Sequence, residues 1–248
     1  MLTEERQAKI IEILNREKSV TVQSLMKELD TSESTIRRDL VALDKSGDLT
    51  KVHGGAILKS GVYNMKDDEV VLRQEQNADE KDKIAKHAAS LICENDFVYV
   101  DAGTTTERMI DYITAKRVVF VTNAISHAKK LSERGYVVHL LGGEFKAITE
   151  AIVGEMALRT LDMYTFTRGF WGANAVDFER GFSTPEIREA MVKTKSMEHC
   201  KACYVLADSS KFGQMSCVKF ASYDQATIIT TKVNDIPEGK GENIINII

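Results

Sequence analysis

From Phe97 onward the chain repeats one pattern: a short apolar run ending in polar or glycine residues, then a stretch with helical spacing. The runs are Phe97-Val98-Tyr99-Val100-Asp101, Val118-Val119-Phe120-Val121-Thr122, and Val137-Val138-His139-Leu140-Leu141 before Gly142-Gly143. Phe170-Trp171-Gly172-Ala173-Asn174, Cys203-Tyr204-Val205-Leu206-Ala207-Asp208, Thr227–Thr230 and Ile244–Ile248 follow. Helices are expected between them, at 104–113, from 126, at 154–161 and at 185–200, with Pro185 suited to a first turn. Another, at 79–93, precedes the first strand. Strands that are apolar throughout are buried on both faces, and strands alternating with helices give a mainly parallel sheet covered on both sides. Residues 78–248 are therefore expected to form one α/β domain, without internal repeats.

The amino-terminal residues follow a different pattern. A helix over 4–16 clusters Ile10, Ile13 and Leu14, and Ser19-Val20-Thr21 breaks it. Thr21 caps a short helix bearing Val22, Leu25, Met26 and Leu29, and Asp30-Thr31 turns the chain. The next helix starts at Thr31 or Ser32, buries Ile36, Leu40 and Leu43, and ends near Gly47. Its other face carries Ser34, Thr35, Arg37 and Arg38, hydroxyls and guanidiniums suited to base edges and phosphates in a major groove. Leu49–Ile57 brackets a turn-prone segment and reads as a hairpin wing, with Lys51 and His53 placed to touch phosphate. The arrangement is a winged helix-turn-helix over residues 1–57. Nine Lys/Arg against ten Asp/Glu in that stretch leave it without a basic surplus; the spacing favours DNA binding, with a protein-interaction module of three amphipathic helices as the plainer alternative. Residues 58–77, polar and charged with Asp67-Asp68-Glu69, read as a linker.

In open α/β sheets ligands bind at the carboxyl ends of the strands. Asp101-Ala102-Gly103-Thr104-Thr105-Thr106 is the sharpest candidate. A strand ends in Asp, Gly permits a tight turn, and threonines open a helix whose free amides and dipole favour an anion. A well-capped helix that binds nothing is the plainer alternative. Without a Gly-x-x-x-x-Gly-Lys run this is not a P-loop. Thr122 and Asn123, and Gly142, Gly143 and Glu144, end the next two strands; each group also reads as an ordinary turn. Asp208 and Lys211 end a later strand, Asp208 suited to sugar hydroxyls and Lys211 to a phosphate or to Asp208, though a loop lysine is usually just solvated.

Three blocks in the head occur at a family's spacing: Glu5-Arg6, Ser34-Thr35-Ile36-Arg37-Arg38-Asp39-Leu40, and Val52-His53-Gly54-Gly55-Ala56. With them the chain resembles the DeoR family of bacterial transcriptional repressors, and the resemblance implies DNA binding by the head. It extends over 78–248, where the family's domain is similar in fold to ribose-5-phosphate isomerase. That implies a phosphorylated sugar as effector. Those isomerases carry essential carboxylates in a Gly-Ala-Asp-Glu run. The comparable run here, Gly172-Ala173-Asn174-Ala175, has neither. Asn174, Arg180, Glu189 and Lys193 are expected to line the pocket, Glu189 in the region of the isomerases' general base. Proton transfer between carbons needs a pair of tuned carboxylates. The expectation is therefore a binding protein, not an enzyme, with an isomerase-like enzyme bearing an accessory head as the rival. Met1-Leu2-Thr3-Glu4-Glu5-Arg6 and Ser32-Glu33-Ser34-Thr35 are most similar to the branch of fructose-operon repressors, which implies fructose 1-phosphate. Related branches respond to tagatose 6-phosphate or other hexose phosphates. Operator DNA and a second copy, as homodimer or homotetramer, are the expected partners.

Composition excludes other classes. The 248 residues carry 33 Lys+Arg against 37 Asp+Glu, a net charge of −4, and no apolar run of about 20 residues that would span a membrane. Four cysteines in a chain of this length are not a disulfide framework, and the start lacks a signal-peptide core, so a reduced, cytoplasmic protein is expected. Cys200 and Cys203 form a Cys-x-x-Cys without a second ligand pair, and the five histidines show no ligand spacing, so neither metal nor cofactor is expected. Trp171 is expected in the pocket wall or in the core.

Overall fold

The computed structural model describes residues 3–17, 19–46, 48–52, 54–58, 63–64, 70–231, 233 and 236–247. The chain divides into two compact units, Met1–Val62 and Tyr63–Ile248.

In the first unit, α1 (Thr3–Glu17), β1 (Ser19–Thr21), α2 (Val22–Leu29) and α3 (Glu33–Ser46) are followed by β2 (Leu49–Val52) and β3 (Gly55–Leu58). Ile10, Leu14, Leu25, Ile36 and Leu40 meet in a closed core. Each recurs at helical spacing on its own helix, so one buried stripe per helix suffices. Thr21 caps α2 through a reciprocal bond pair with Ser24. Asp30, left-handed at φ 47°, makes the tight turn into α3. Ser19-Val20-Thr21 does more than break a helix. Val20 is buried, and the segment pairs antiparallel with β3 (Val20 opposite Ala56), so the expected two-stranded wing is one side of a three-stranded sheet. The expected cap at Gly47 lies outside the described residues.

The second unit starts inside the expected linker. Two short elements stand there, β4 (Tyr63–Asn64) and α4 (Val70–Glu75), the latter formed by an apolar run inside the charged stretch. Asp67-Asp68-Glu69 lies outside the described residues. Next come α5 (Ala78–Ser90), β5 (Phe97–Val100), α6 (Thr104–Tyr112), β6 (Val119–Thr122), α7 (Ile125–Glu133), β7 (Val137–Leu140), β8 (Glu144–Lys146), β9 (Ala151–Val153) and α8 (Glu155–Leu161). The chain continues through β10 (Phe166–Gly172), β11 (Ala175–Asp177), β12 (Gly181–Thr184), α9 (Ile187–Glu198), β13 (Cys200–Leu206), β14 (Met215–Ser216), β15 (Val218–Ala221), β16 (Thr227–Thr230) and β17 (Ile244–Asn246).

Seven of these strands form one parallel sheet in the order β17-β16-β13-β10-β5-β6-β7. Successive side chains point to opposite faces. Val98, Val100, Phe120 and Phe170 face α5, α6 and α7 in one core, and Tyr99, Val121, Trp171 and Val205 face α8 and α9 in the other. From β5 the chain winds out to β7 and then returns to β10 on the other side of β5. The carboxyl ends of β5 and β10 thus flank the topological switch point, where doubly wound sheets bind ligands. A small antiparallel sheet, β11-β12-β15, follows β10.

Two expectations need correction. Pro185 is not in the first turn of α9: Glu186 is the cap, its carboxylate accepting the Glu189 amide at 3.1 Å, and the helix begins at Ile187. β7 is the edge of the sheet, and Val137 and Leu140 are exposed.

Candidate functional site

On α3, Ser34, Arg37 and Arg38 are exposed, while Thr35 is half-buried with its hydroxyl on that of Ser32 at 3.0 Å. The Ser32 carbonyl accepts the first helical bonds, from Thr35 and Ile36 at 3.1 Å each, which makes Ser32 the cap. Arg37 is bonded to Glu33 one turn earlier, at 2.7–2.8 Å, an exposed pair of little energetic weight. Arg38 has no partner among the described residues. Lys51 is exposed on β2, where its amide is tied to Asp44 at 2.9 Å; His53 lies outside the described residues. Asp39, in the same motif, turns inward. Its carboxylate accepts from Arg6 at 2.6 and 3.2 Å and from Gln7 at 3.4 Å, fastening α1 to α3. That hydrogen bond also keeps the Arg6 guanidinium more firmly protonated. The motif therefore mixes outward cations with an anchor that sets the angle of the helix.

In the second unit a cleft opens at the switch point. It brings together ten of the residues singled out from sequence: Asp101, Gly103, Thr104, Thr105, Asn123, Asn174, Glu189, Lys193, Asp208 and Lys211. The amides of Thr104, Thr105 and Thr106 precede the first helical bond of α6, Glu107 to Gly103 at 2.9 Å, and have no partner within the helix. Asn123 fixes the approach to that helix by accepting the Ala102 amide at 2.8 Å.

Each carboxylate of the cleft is engaged. Asp101 is closely paired with Lys193, whose ammonium also donates to the Gly172 carbonyl at 3.1 Å. Burial pushes the Asp101 carboxyl up, against the pull of Lys193. Glu189 accepts from Lys146 at 3.0 Å and closely from Thr149. Asp208 accepts from Asn77 at 2.8 Å and closely from the Ser210 hydroxyl. Asn174 accepts from Thr184 at 3.1 Å.

Sequence reasoning missed Arg73 and Lys81, both in the cleft wall. Lys81 is buried on the first turn of α5; it donates to Thr104 Oγ1 at 3.2 Å and closely to the Arg73 carbonyl. Burial lowers its pKa to about 8, with Asp208 opposing and the cations Lys211, Arg108 and Arg73 adding to the fall. Arg73 Nε is buried without a hydrogen-bond partner among the described residues. One signal was available for Lys81: it extends the buried stripe of Ile84, Ala85 and Ala88 back by one turn, where a lysine is out of place unless it has a task.

Other candidates stand elsewhere. The Thr106 hydroxyl is buried on the carbonyls of Asp101 (2.7 Å) and Gly103 (2.8 Å), and that of Thr122 accepts the Ala124 amide at 3.1 Å; both stabilise turns. Gly142 is outside the cleft lining. Gly143 lies against Val153, whose carbonyl would be 2.4 Å from an added Cβ, which explains the glycine by packing. Glu144 is exposed and bonded to Arg188 at 2.8 Å. Arg180 lies in the β11–β12 turn, its amide on Asp177 at 2.7 Å. Trp171 is wholly buried, with its indole N–H on Ser196 at 2.9 Å, so it belongs to the core. Among the described residues no His/Cys/Asp/Glu group has the arrangement of a metal site, and no helix is long and apolar enough to cross a membrane.

A helix-turn-helix head joined to a doubly wound domain with a cleft at its switch point is the build of a DNA-binding transcriptional regulator that senses a small molecule. The chain belongs to the DeoR family: the DeoR-like helix-turn-helix domain matches residues 6–61 and the DeoR C terminal sensor domain matches residues 76–232. It is 43% identical to the HTH-type transcriptional regulator FruR of Bacillus subtilis (strain 168), over 95% of this chain and 94% of that protein. It is 32% identical to the lactose phosphotransferase system repressor of Staphylococcus aureus (strain NCTC 8325 / PS 47), over 97% and 95%. Among solved structures, ribose 5-phosphate isomerase A of Methanocaldococcus jannaschii is similar at a TM-score of 0.40 and 18% identity, over 55% of each chain.

Proposed function

We propose that this chain represses a sugar-utilisation operon and is released from its operator when a phosphorylated sugar binds the cleft. The observation that carries the reading is the amino terminus of α6. The amides of Thr104 and Thr105, without a partner in the helix, stand in the cleft lining, ringed by Lys81, Arg73 and Lys211, while every carboxylate there is already engaged. Free amides on a helix dipole beside cations suit a phosphate dianion. Asn123, Asn174, Asp208 and Glu189 supply the polar groups that a sugar's hydroxyls need. The cleft binds and does not turn over: Asn174 and Ala175 replace carboxylates, and Asp101 is neutralised by Lys193.

The head reads DNA through Ser34, Arg37 and Arg38, with Lys51 and His53 of the wing on phosphate. As helix-turn-helix proteins read two-fold operators as dimers, two copies act together. The residues shared with fructose-operon repressors make fructose 1-phosphate the first effector to try. Related branches of the family, which respond to tagatose 6-phosphate, make that compound the second. By linkage, operator DNA weakens effector binding by the factor by which effector weakens DNA binding.

The test is fluorescence anisotropy of labelled DNA from upstream of the operon, titrated with protein. It is repeated with fructose 1-phosphate, fructose 6-phosphate, tagatose 6-phosphate and ribose 5-phosphate. Release by one of them names the effector. Binding that none reverses refutes the effector class, and a folded protein that binds no DNA refutes the regulator.

A further inference from the structure

The cleft depends on a turn that other residues hold in place. Asp208 and Lys211 lie on the short turn that follows β13, Ser209–Lys211. The turn's own bonds run within it, the Ser210 and Lys211 amides to Asp208; just past it the Gly213 amide is tied to the Val176 carbonyl at 3.0 Å, and on the Asp208 side the amino-terminal end of α5 holds it. Asn77 is the residue before α5, in the left-handed region at φ 51°. An asparagine before a helix normally caps it, but this side chain makes no cap bond. It donates instead to Asp208 at 2.8 Å and to the Ser210 hydroxyl at 3.1 Å. Three residues on, Glu80 accepts the Ser209 amide at 2.9 Å, the Ser209 hydroxyl at 2.9 Å and the Thr231 hydroxyl at 2.5 Å. One carboxylate thus joins the loops after β13 and β16. Burial works against its charge, but the Ser209 amide and the two hydroxyls outweigh that and hold the carboxyl below its ordinary range. A few residues downstream of the turn, at Met215 and Ser216, the loop is gripped again: β14 pairs in parallel with β4, Tyr63 opposite Met215. The same turn of α5 carries Lys81 into the cleft on its other side.

We infer that Asn77 and Glu80 are positioning residues for the effector: they hold the 208–211 turn so that Asp208 and Lys211 meet the ligand together with Lys81. The inference rests on the sugar-phosphate reading and adds residues that touch no ligand. It has a regulatory consequence. The clasp and the β4–β14 pairing both tie the ligand-facing loop to the segment 63–80, through which the chain passes on leaving the first unit. A ligand that draws on Lys211 therefore draws on that segment.

Two variants of the full chain test it. Asn77→Gly keeps the left-handed backbone and removes only the side-chain bonds; Glu80→Gln keeps the shape and removes the charge. Hydrogen exchange of the ligand-free protein is expected to speed up in residues 208–216 and to stay unchanged in α6. Calorimetric affinity for the sugar phosphate that binds the wild type best is expected to fall by roughly tenfold, the scale of one lost hydrogen bond to a charged group. If Asn77 served only to turn the backbone, Asn77→Gly would be neutral in both measurements. Unchanged exchange in both variants overturns the inference, and so does faster exchange with undiminished affinity. If the wild type binds none of the four sugar phosphates while exchange speeds up, the reading of the ligand fails and the clasp stands.

Discussion

Lys81 gives the cleft a pH response whose size follows from its environment. With a pKa of about 8 in the empty cleft, the ammonium is mostly charged at pH 7 and mostly neutral at pH 9. A phosphate monoester is a dianion throughout that range, because its second pKa is about 6. If the phosphate sits on the α6 amides beside Thr104, it faces Lys81 and raises its pKa again. Binding then requires the protonated form. At pH 9 only about one chain in eleven carries that form, so affinity falls about tenfold from its low-pH plateau, about 1.4 kcal/mol. Calorimetry in buffers of different ionisation enthalpy should show uptake of about half a proton per site near pH 8 and nearly one near pH 9. Lys81→Arg stays charged throughout and should flatten the curve while keeping affinity. Lys81→Met should flatten it at lower affinity. Without ligand the sign differs. The folded pKa lies below the ordinary lysine value, so the unfolded chain holds the extra proton between about pH 8 and 10.5 and this group's contribution to stability rises with pH across that window. A wild-type slope that persists in both variants, or binding without proton uptake, would refute the placement of the phosphate against Lys81.

Other expectations are more local. Arg38→Ala should weaken operator binding by about 1–3 kcal/mol if the guanidinium reads a base edge, with the unfolding temperature unchanged; anisotropy and calorimetry check both halves. Gly55→Ala places a Cβ 2.0 Å from the Val20 carbonyl, so β1 and β3 must separate. That should cost the head about 1–3 kcal/mol in chemical denaturation and lower operator affinity with it. Asp101→Ala leaves the Lys193 ammonium buried without its carboxylate. Stability should fall by about 3–5 kcal/mol in denaturant titrations, and a loss under 1 kcal/mol would mean that water reaches the pair.

Much of the cleft was legible because strand ends announce themselves. Asp101-Ala102-Gly103-Thr104 has to be a strand stop, a turn and a helix start, and a parallel sheet collects such stops on one edge. Thr106, Thr122 and Gly143 lie outside the cleft lining: the two hydroxyls bond within their turns, and the glycine gives room to the Val153 carbonyl. The stretch 58–77 was less legible. Its charged composition hid β4 and α4, since the pairing of Tyr63 with Met215 spans some 150 positions and leaves no local trace.

The sequence by itself determined the elements and their class. Apolar runs without alternation demand a sheet buried on both faces, and stripes at 3.6-residue spacing demand helices with one buried side, whatever the neighbours. Tertiary structure alone decided which charges face which. Arg6 and Asp39 are 33 positions apart, Lys193 and Asp101 92, Glu80 and Thr231 151. The exposed partner of a charged residue costs little and the buried partner is indispensable, yet both are written with the same letter. Only the fold distinguishes the Asp that holds a helix, the Glu that holds a turn and the Lys that is buried in the wall of a cleft.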